Sequence, residues 1–271
     1  MGKKILVVGQ GAREHAIVWK LTRSPEIEKV YAAPGNAGIA GIADCFDISV
    51  DDFPELIYLA ESRGIDLTVV GPEVPLTLGI VEAFEARNLK IFGPRSDAAR
   101  IEGSKVFAKN LMKKYGIPTA DFAVFDNLPE ARAYVREKGA PVVIKADGLA
   151  AGKGVVVAGT LEEADSALFA MLENQVFGEA GQRVVIEECL SGQEVSVFAV
   201  CDGHTALFLA AAQDHKRVYD GDQGPNTGGM GSICPVPQLT ASMMETIHKE
   251  VVTPTFKGLQ KEGLLYQGIL Y

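Results

Sequence analysis

Along the first hundred residues, short continuous apolar runs alternate with stretches of helical period. The runs at 5–8, 30–33, 67–70 and 90–92 each meet a Gly or Pro at their C-terminal end, which predicts parallel strands buried on both faces. Residues 12–22, 54–61 and 77–87 read as the helices between them. This is a doubly wound α/β pattern, with its functional turns at the carboxyl ends of the strands. Those turns are GQGAREH, APGNAG, VGPEVPL and FGP. A helix over 96–115 then carries the chain into a region of different rhythm. There, strands are predicted at 142–146, 154–158, 183–188, 194–200 and 205–211, with Asp202-Gly203 as a hairpin turn. Helices at 128–138 and 161–173 flank the earlier strands. A further helix over 240–260, bent at Pro254, precedes a strand that starts in 264–271. The second region is therefore expected to be α+β, with antiparallel hairpins.

Composition narrows the class. A chain of 271 residues with 47% hydrophobic and 23% charged residues is an ordinary globular protein. Lys+Arg 26 against Asp+Glu 35 gives a net charge of −9, which argues against a nucleic-acid partner, since a phosphate backbone needs a basic surface. Small phosphorylated ligands remain compatible, because they need only a few local cations. Cys45, Cys189, Cys201 and Cys234 are scattered and form no metal or redox pair, so free thiols in a reducing cytosol are expected. No signal-peptide pattern opens the chain, and no stretch approaches the ~18 apolar residues of a membrane span. A cytoplasmic protein with no membrane partner is expected.

The turn Gly9-Gln10-Gly11-Ala12-Arg13-Glu14-His15 looks like a dinucleotide fingerprint but has Glu14 where the third glycine belongs. The second strand, moreover, runs into Pro34-Gly35-Asn36 instead of an acidic residue. An anion site at a helix N-terminus is the expectation that survives, with Arg13 adding charge; a tight turn without ligand is the alternative. Glu73, at the end of the third strand, faces the same crevice and can hold a ribose hydroxyl or an amine; a solvated strand-end carboxylate is the alternative. The segment IKADGLAAGKGVVV over 144–157 places Lys145 on a strand and Lys153 at the tip of a glycine turn. It is not a P-loop, because GKG runs into a strand and no GK[ST] opens a helix. A β-hairpin lid closing over a triphosphate is expected, against a plain glycine-rich hairpin with solvated lysines.

Glu187 and Glu188 end a strand, and the following linker can present backbone groups to an adenine edge, with Glu194 at ribose hydroxyls; a pair of solvated glutamates is the alternative. The run Gln213-Asp214-His215-Lys216-Arg217, followed by GPNTGGMG over 224–231, is costly for a plain connection and is expected to be a long irregular functional loop. Lys216 and Arg217 suit a carboxylate or developing phosphoryl charge, and Asp214 an ammonium. His215 is expected to orient or to be structural. His204 and His248 read as surface residues.

With these pieces in order, the chain resembles the glycinamide ribonucleotide synthetases, or phosphoribosylamine–glycine ligases, of the ATP-grasp superfamily. The matching stretches are VVGQGAREHA, APGNAG, VGPEVPL, IFGP, EGSKVFAK, GAPVVIKADGLAAGKGV, VIEE, and QDHKR with GPNTGGMG. The resemblance implies a pre-ATP-grasp domain over 1–104 that binds phosphoribosylamine. It implies an incomplete ATP-grasp domain over 105–271, with a lid at about 121–190. Gly11, Arg13, Glu14, Asn36 and Glu73 would line the amine site. Lys105, Lys145, Gly148, Gly152, Lys153 and Gly154 would meet the ATP phosphates, with Glu187, Glu188 and Leu190 at the adenine and Glu194 at the ribose. Asp214, Lys216, Arg217, Asn226, Thr227, Gly228 and Gly229 would face glycine and the transferred phosphoryl group.

The implied reaction joins glycine to 5-phosphoribosylamine through glycyl phosphate, in a monomeric enzyme that uses Mg²⁺ or Mn²⁺. In that family an E-F-N-type motif on a later strand coordinates the metal, whereas residues 264–271 hold no carboxylate. Metal ligands are therefore expected outside this chain, which is expected to be C-terminally truncated and inactive or nearly so. A related ATP-grasp ligase and a non-catalytic nucleotide-binding module are the competing readings. A nicotinamide-dependent oxidoreductase is disfavoured by the failed fingerprint.

Overall fold

A computed structural model describes residues 2–149, 154–221 and 223–271. The chain forms two compact units, Met1–Arg100 with Leu264–Gly268, and Ile101–Gly263 with Ile269–Tyr271. The first contains a parallel sheet of β1 (Lys3–Gly9), β2 (Ile27–Pro34), β3 (Asp44–Cys45), β4 (Leu67–Val70) and β5 (Ile91–Phe92), ordered β3-β2-β1-β4-β5. The strand order reverses direction between β1 and β4, so their carboxyl ends open on a crevice at the switch point. Alternation along β1 sends Leu6 and Val8 into one core cluster and Ile5 and Val7 into another. Both faces are thus covered, as the continuous apolar runs predict.

Local chemistry sets the helix ends. Asp52 caps the helix Phe53–Arg63 by accepting from the Glu55 amide, and Gly64 closes it in the left-handed conformation (φ +63°). The helix expected over 77–87 is shorter, Ile80–Glu85, and a separate helix that was not expected, Glu73–Thr77, precedes it, the two parted at Gly79 with φ +91°. The single helix expected over 96–115 is two, Ser96–Gly103 and Lys105–Tyr115. Ser104 interrupts it in an extended conformation and caps the second helix through the Phe107 amide at 3.1 Å.

The second unit contains an antiparallel sheet of β6 (Phe122–Phe125), β7 (Val142–Ala146), β8 (Val155–Ala158) and β9 (Val184–Glu188), ordered β6-β9-β7-β8. Ile144, Ala146, Ala158, Val184 and Ile186 pack with the helices Leu128–Lys138 and Leu161–Leu168 in one core. The latter helix continues through a π-helical turn, Phe169–Glu173.

Strands β10 (Ala199–Asp202) and β11 (Ala206–Phe208) form the expected hairpin, with Gly203 at φ +91°. They are shorter than the 194–200 and 205–211 expected: Ser196 makes one isolated bridge to Ala212, and Glu194 turns to Lys216 instead. The long irregular loop expected from Gln213 onward is a β-ribbon of β12 (Gln213–Tyr219) and β13 (Gln223–Ile233). Asp220-Gly221 leads into its turn, with Gly221 left-handed at φ +71°. The helix over 240–260 runs as Ala241–Ile247, a π-helical stretch His248–Val252 and Thr253–Lys261. The π stretch precedes Pro254, whose missing N–H cannot serve a regular turn. Last comes β14 (Gln267–Leu270), whose sheet runs β11-β10-β14. Among the described residues no helix is long and apolar enough to cross a membrane, and the four cysteines are unpaired.

Candidate functional site

In the first unit, the crevice at the ends of β1 and β4 gathers the residues singled out there. Arg13 reaches Glu73 Oε1 at 2.7 Å through Nη1 and Glu14 Oε1 at 2.8 Å through Nε. Burial opposes its charge, but the hydrogen bonds with Glu73 and Glu14 outweigh that and hold its pKa above the ordinary arginine value. Asn36 donates from Nδ2 to the Gln10 carbonyl at 2.8 Å and accepts the Ile39 amide at 2.9 Å. It thereby pins the turn after β2 to the turn after β1.

Glu14 corrects one expectation. Its carboxylate is buried and accepts the Gly11 amide at 2.6 Å, so that N–H is taken by the protein's own anion and is not left for a phosphate. A Cβ built on Gly71 would lie 2.1 Å from Glu14 Oε1, and one on Gly9 2.5 Å from Glu14 Cγ. These glycines make room for a side chain.

The second unit carries a cleft of about 940 Å³. Its floor follows from strand alternation. Where Ile144 and Ile186 point into the core, Val143, Lys145 and Glu187 take the other face and line the cleft. The register pairs Val143 with Glu187 across β7 and β9. Lys145 Nζ lies 2.9 Å from Glu187 Oε2, and Glu187 Oε1 is buried with no hydrogen-bond partner among the described residues. Val155 and Val157 of β8 and Ala120 add apolar surface.

The linker Glu188–Glu194 and strand β12 line the rest. Lys216 sits 2.8 Å from Glu194 Oε2 and 3.8 Å from Asp214 Oδ2, and its hydrogen bond with Glu194 raises its pKa above the usual lysine value. Arg217 is bound by the Gly224 carbonyl at 2.6 Å, and Thr227 Oγ1 donates to the Lys216 carbonyl at 2.9 Å while accepting the Gly229 amide at 3.0 Å. Asn226 and Gly228 lie on β13, Asn226 opposite Arg217. His215 lines the cleft but is exposed. Leu190 also lines it and is 68% exposed. The Glu188 carboxylate is used on the Asp121 amide at 3.0 Å, so this residue faces a ligand with its backbone.

Lys105 and Gly148 stand apart from the cleft lining. Lys105 Nζ donates to the Gly148 carbonyl at 2.9 Å. Burial lowers its pKa, with the like charge of Lys145 adding to the drop and Asp147 opposing it. Asp147 was not singled out from the sequence, yet it is the buried hub here. It accepts Ser104 Oγ at 2.9 Å, the Val106 amide at 3.0 Å and Arg183 Nη2 at 2.6 Å. It thus fastens the start of the helix Lys105–Tyr115 to the end of β7 and brings Lys105 towards Lys145. Gly154 is buried, and its carbonyl continues the β7–β8 ladder by accepting the Ala146 amide at 2.8 Å. Gly152 and Lys153 lie outside the described residues.

An antiparallel sheet with helices on one face and a lysine-bearing cleft on the other, following a parallel-sheet unit, defines an ATP-grasp protein. Residues 3–102 match the phosphoribosylglycinamide synthetase N domain, and residues 103–271 match the phosphoribosylglycinamide synthetase ATP-grasp (A) domain. The chain belongs to the phosphoribosylglycinamide synthetase family. It is 53% identical over 268 residues to a phosphoribosylamine–glycine ligase of Ralstonia nicotianae, covering 99% of this chain and 64% of that protein. A crystal structure of phosphoribosylamine–glycine ligase from Thermotoga maritima superposes with a TM-score of 0.82 at 35% identity, covering 98% of this chain and 63% of that one. The biotin carboxylase domain of a Hydrogenobacter thermophilus 2-oxoglutarate carboxylase, solved with magnesium ADP and bicarbonate, shares the fold. Its TM-score is 0.73 at 18% identity, covering 99% of this chain and 60% of that one. The chain thus spans under two thirds of the length of these relatives.

Proposed function

We propose that this chain supplies the amine-binding and ATP-binding parts of a ligase that joins glycine to 5-phosphoribosylamine, giving glycinamide ribonucleotide, ADP and phosphate. The observation that carries the reading is the cleft of the second unit. It presents an apolar slot (Val143, Val155, Val157, Ala120) for a planar base and, for an amino donor, a carboxylate oxygen on Glu187 that has no partner among the described residues. Cations on two sides, Lys145 and Lys216, suit phosphates. In this reading residues 1–104 bind the amine and 105–271 the nucleotide, with about 121–190 as the lid. Arg13, Asn36 and Glu73 hold phosphoribosylamine, with Gly11 and Glu14 shaping the turn that places them. Lys105, Lys145, Gly148, Gly152, Lys153 and Gly154 hold the phosphates, and Glu187, Glu188, Leu190 and Glu194 hold the nucleoside. Asp214, Lys216, Arg217 and the Asn226, Thr227, Gly228 and Gly229 stretch face glycine and the moving phosphoryl group.

A glycine carboxylate oxygen attacks the γ-phosphorus as the bridging bond to ADP breaks. The ribosylamine nitrogen then attacks the acyl carbon, loses a proton and expels phosphate. Such chemistry asks the protein mainly for positioning and for charge that meets the developing negative oxygens. Among the described residues no three His, Cys, Asp or Glu side chains converge as a metal site, and the carboxylates of Glu194 and Asp214 are drawn to Lys216. In this reading Mg²⁺ or Mn²⁺ would accompany the nucleotide's phosphates and neutralise charge there.

The test is calorimetric titration with ATP. Binding that weakens by about tenfold or more in Lys145→Met supports the reading, whereas no ATP binding by the unaltered chain would overturn it. ADP release that requires both glycine and phosphoribosylamine separates a ligase from a nucleotide-binding module.

A further inference from the structure

Behind the cleft wall lies a lysine that lines nothing. Lys109, on the helix Lys105–Tyr115, has a side chain only 10% exposed and is absent from the cleft lining. Its ammonium donates to Thr119 Oγ1 at 2.7 Å and to the Ala120 carbonyl at 3.3 Å, and lies 3.1 Å from Glu187 Oε2. The same oxygen takes Lys145 at 2.9 Å, while Glu187 Oε1 has no partner among the described residues. One buried carboxylate is therefore shared by two lysines, one at the cleft and one behind it. A buried lysine is costly unless something requires it.

The charge count supplies the requirement. With Lys145 alone, Glu187 would form a neutral pair, and attraction at about 3 Å in a poorly screened site would hold Lys145 to the carboxylate. With Lys109 present the trio carries one net positive charge. We infer that Lys109 is a positioning residue of the nucleotide site: it neutralises Glu187 from behind, so that Lys145 stays available to a polyphosphate and Glu187 Oε1 to an amino donor. The inference rests on the ATP reading of the cleft.

The experiment measures ATP and adenosine affinities for the 271-residue chain by competition against a fluorescent nucleotide. Lys109→Met should weaken ATP by about tenfold and adenosine by much less, because only ATP brings phosphates to Lys145. A packing lesion would weaken both alike. In a Glu187→Gln background the carboxylate charge is gone, so adding Lys109→Met should no longer change the ATP-to-adenosine ratio. Binding of ATP by the unaltered chain, with the same ratio in Lys109→Met, overturns this inference alone. Binding of neither ligand by the unaltered chain overturns the ATP reading and the inference with it. If Lys109→Met fails to fold, the double variant decides. A folded double variant that binds ATP as Glu187→Gln does supports charge compensation. An unfolded one overturns it, by showing that Lys109 is needed whatever the charge on residue 187.

Discussion

Glu14 changes what the glycines around it do. In a dinucleotide fingerprint they bring backbone N–H groups to a pyrophosphate; here Gly9 and Gly71 leave space for a carboxylate that caps the following helix itself. Gly71→Ala should therefore cost about 1–3 kcal/mol, because the new Cβ meets Glu14 within the buried turn. Gly64→Ala has open space and loses only the left-handed backbone preference, about 1 kcal/mol. Urea unfolding of the two variants checks the order; equal losses would sink the steric account. The sequence shows that Glu14 breaks the glycine pattern, but not where its carboxylate goes. A strand's alternation places Lys145 and Glu187 on one face, yet pairing across β7 and β9 decides which two meet. Lys109 and Asp147 were illegible for the same reason. Each is one charged residue among many until distant segments close around it.

At the scale of elements, the parallel strands of the first unit were readable because both faces are buried and the apolar runs are continuous. Strand β3, two residues long, carries no such run. The division of the helix over 96–115 was hidden by apolar spacing that persists through Ser104; the backbone breaks, and the pattern does not. The β12–β13 ribbon was missed because its strands are polar and glycine-rich, with register shifts on either side of Arg217, so neither burial nor strict alternation marks them.

The β10–β11 hairpin, by contrast, follows from its turn. Asp202 accepts the amides of His204 and Thr205 at 2.8 and 2.6 Å, and these bonds lower its pKa to about 2. A depressed carboxylate contributes its stability in full above its unfolded value near 4 and loses it as pH falls through about 2. Asp202→Ala should thus lower the unfolding temperature by a constant amount above about pH 5. The gap to the unaltered chain should close between about pH 4 and 2. Scans of both proteins across that range test it, and a gap independent of pH would refute it.

For the molecule as a whole, a net charge of −9 coexists with a cleft whose lining sets Lys145, Lys216 and Arg217 among the carboxylates of Glu187, Glu188, Glu194, Asp214 and Asp220. Capture of an anion there depends on the cations at contact range, since fields beyond about 10 Å are screened at ordinary salt. Each unit has its own core, so ligand stabilisation should appear where the ligand sits. ATP at about a hundred times its dissociation constant adds about 2.7 kcal/mol to the unit it binds. Hydrogen exchange with ATP should slow in β7 and β9 and remain unchanged in β1 and β4. Protection confined to the first unit would place the nucleotide elsewhere.

The alternation along β7 and β9 has one more consequence. Core and cleft are written in the same two five-residue strands as odd and even letters of a single text: Ile144 and Ile186 on one side, Lys145 and Glu187 on the other. A slip of one residue in pairing would exchange the two sets, driving charges into the greasy layer and isoleucines into the cleft. A misregistered sheet thus has no functional remnant, and the pressure that keeps this protein folded proofreads its chemistry at the same time.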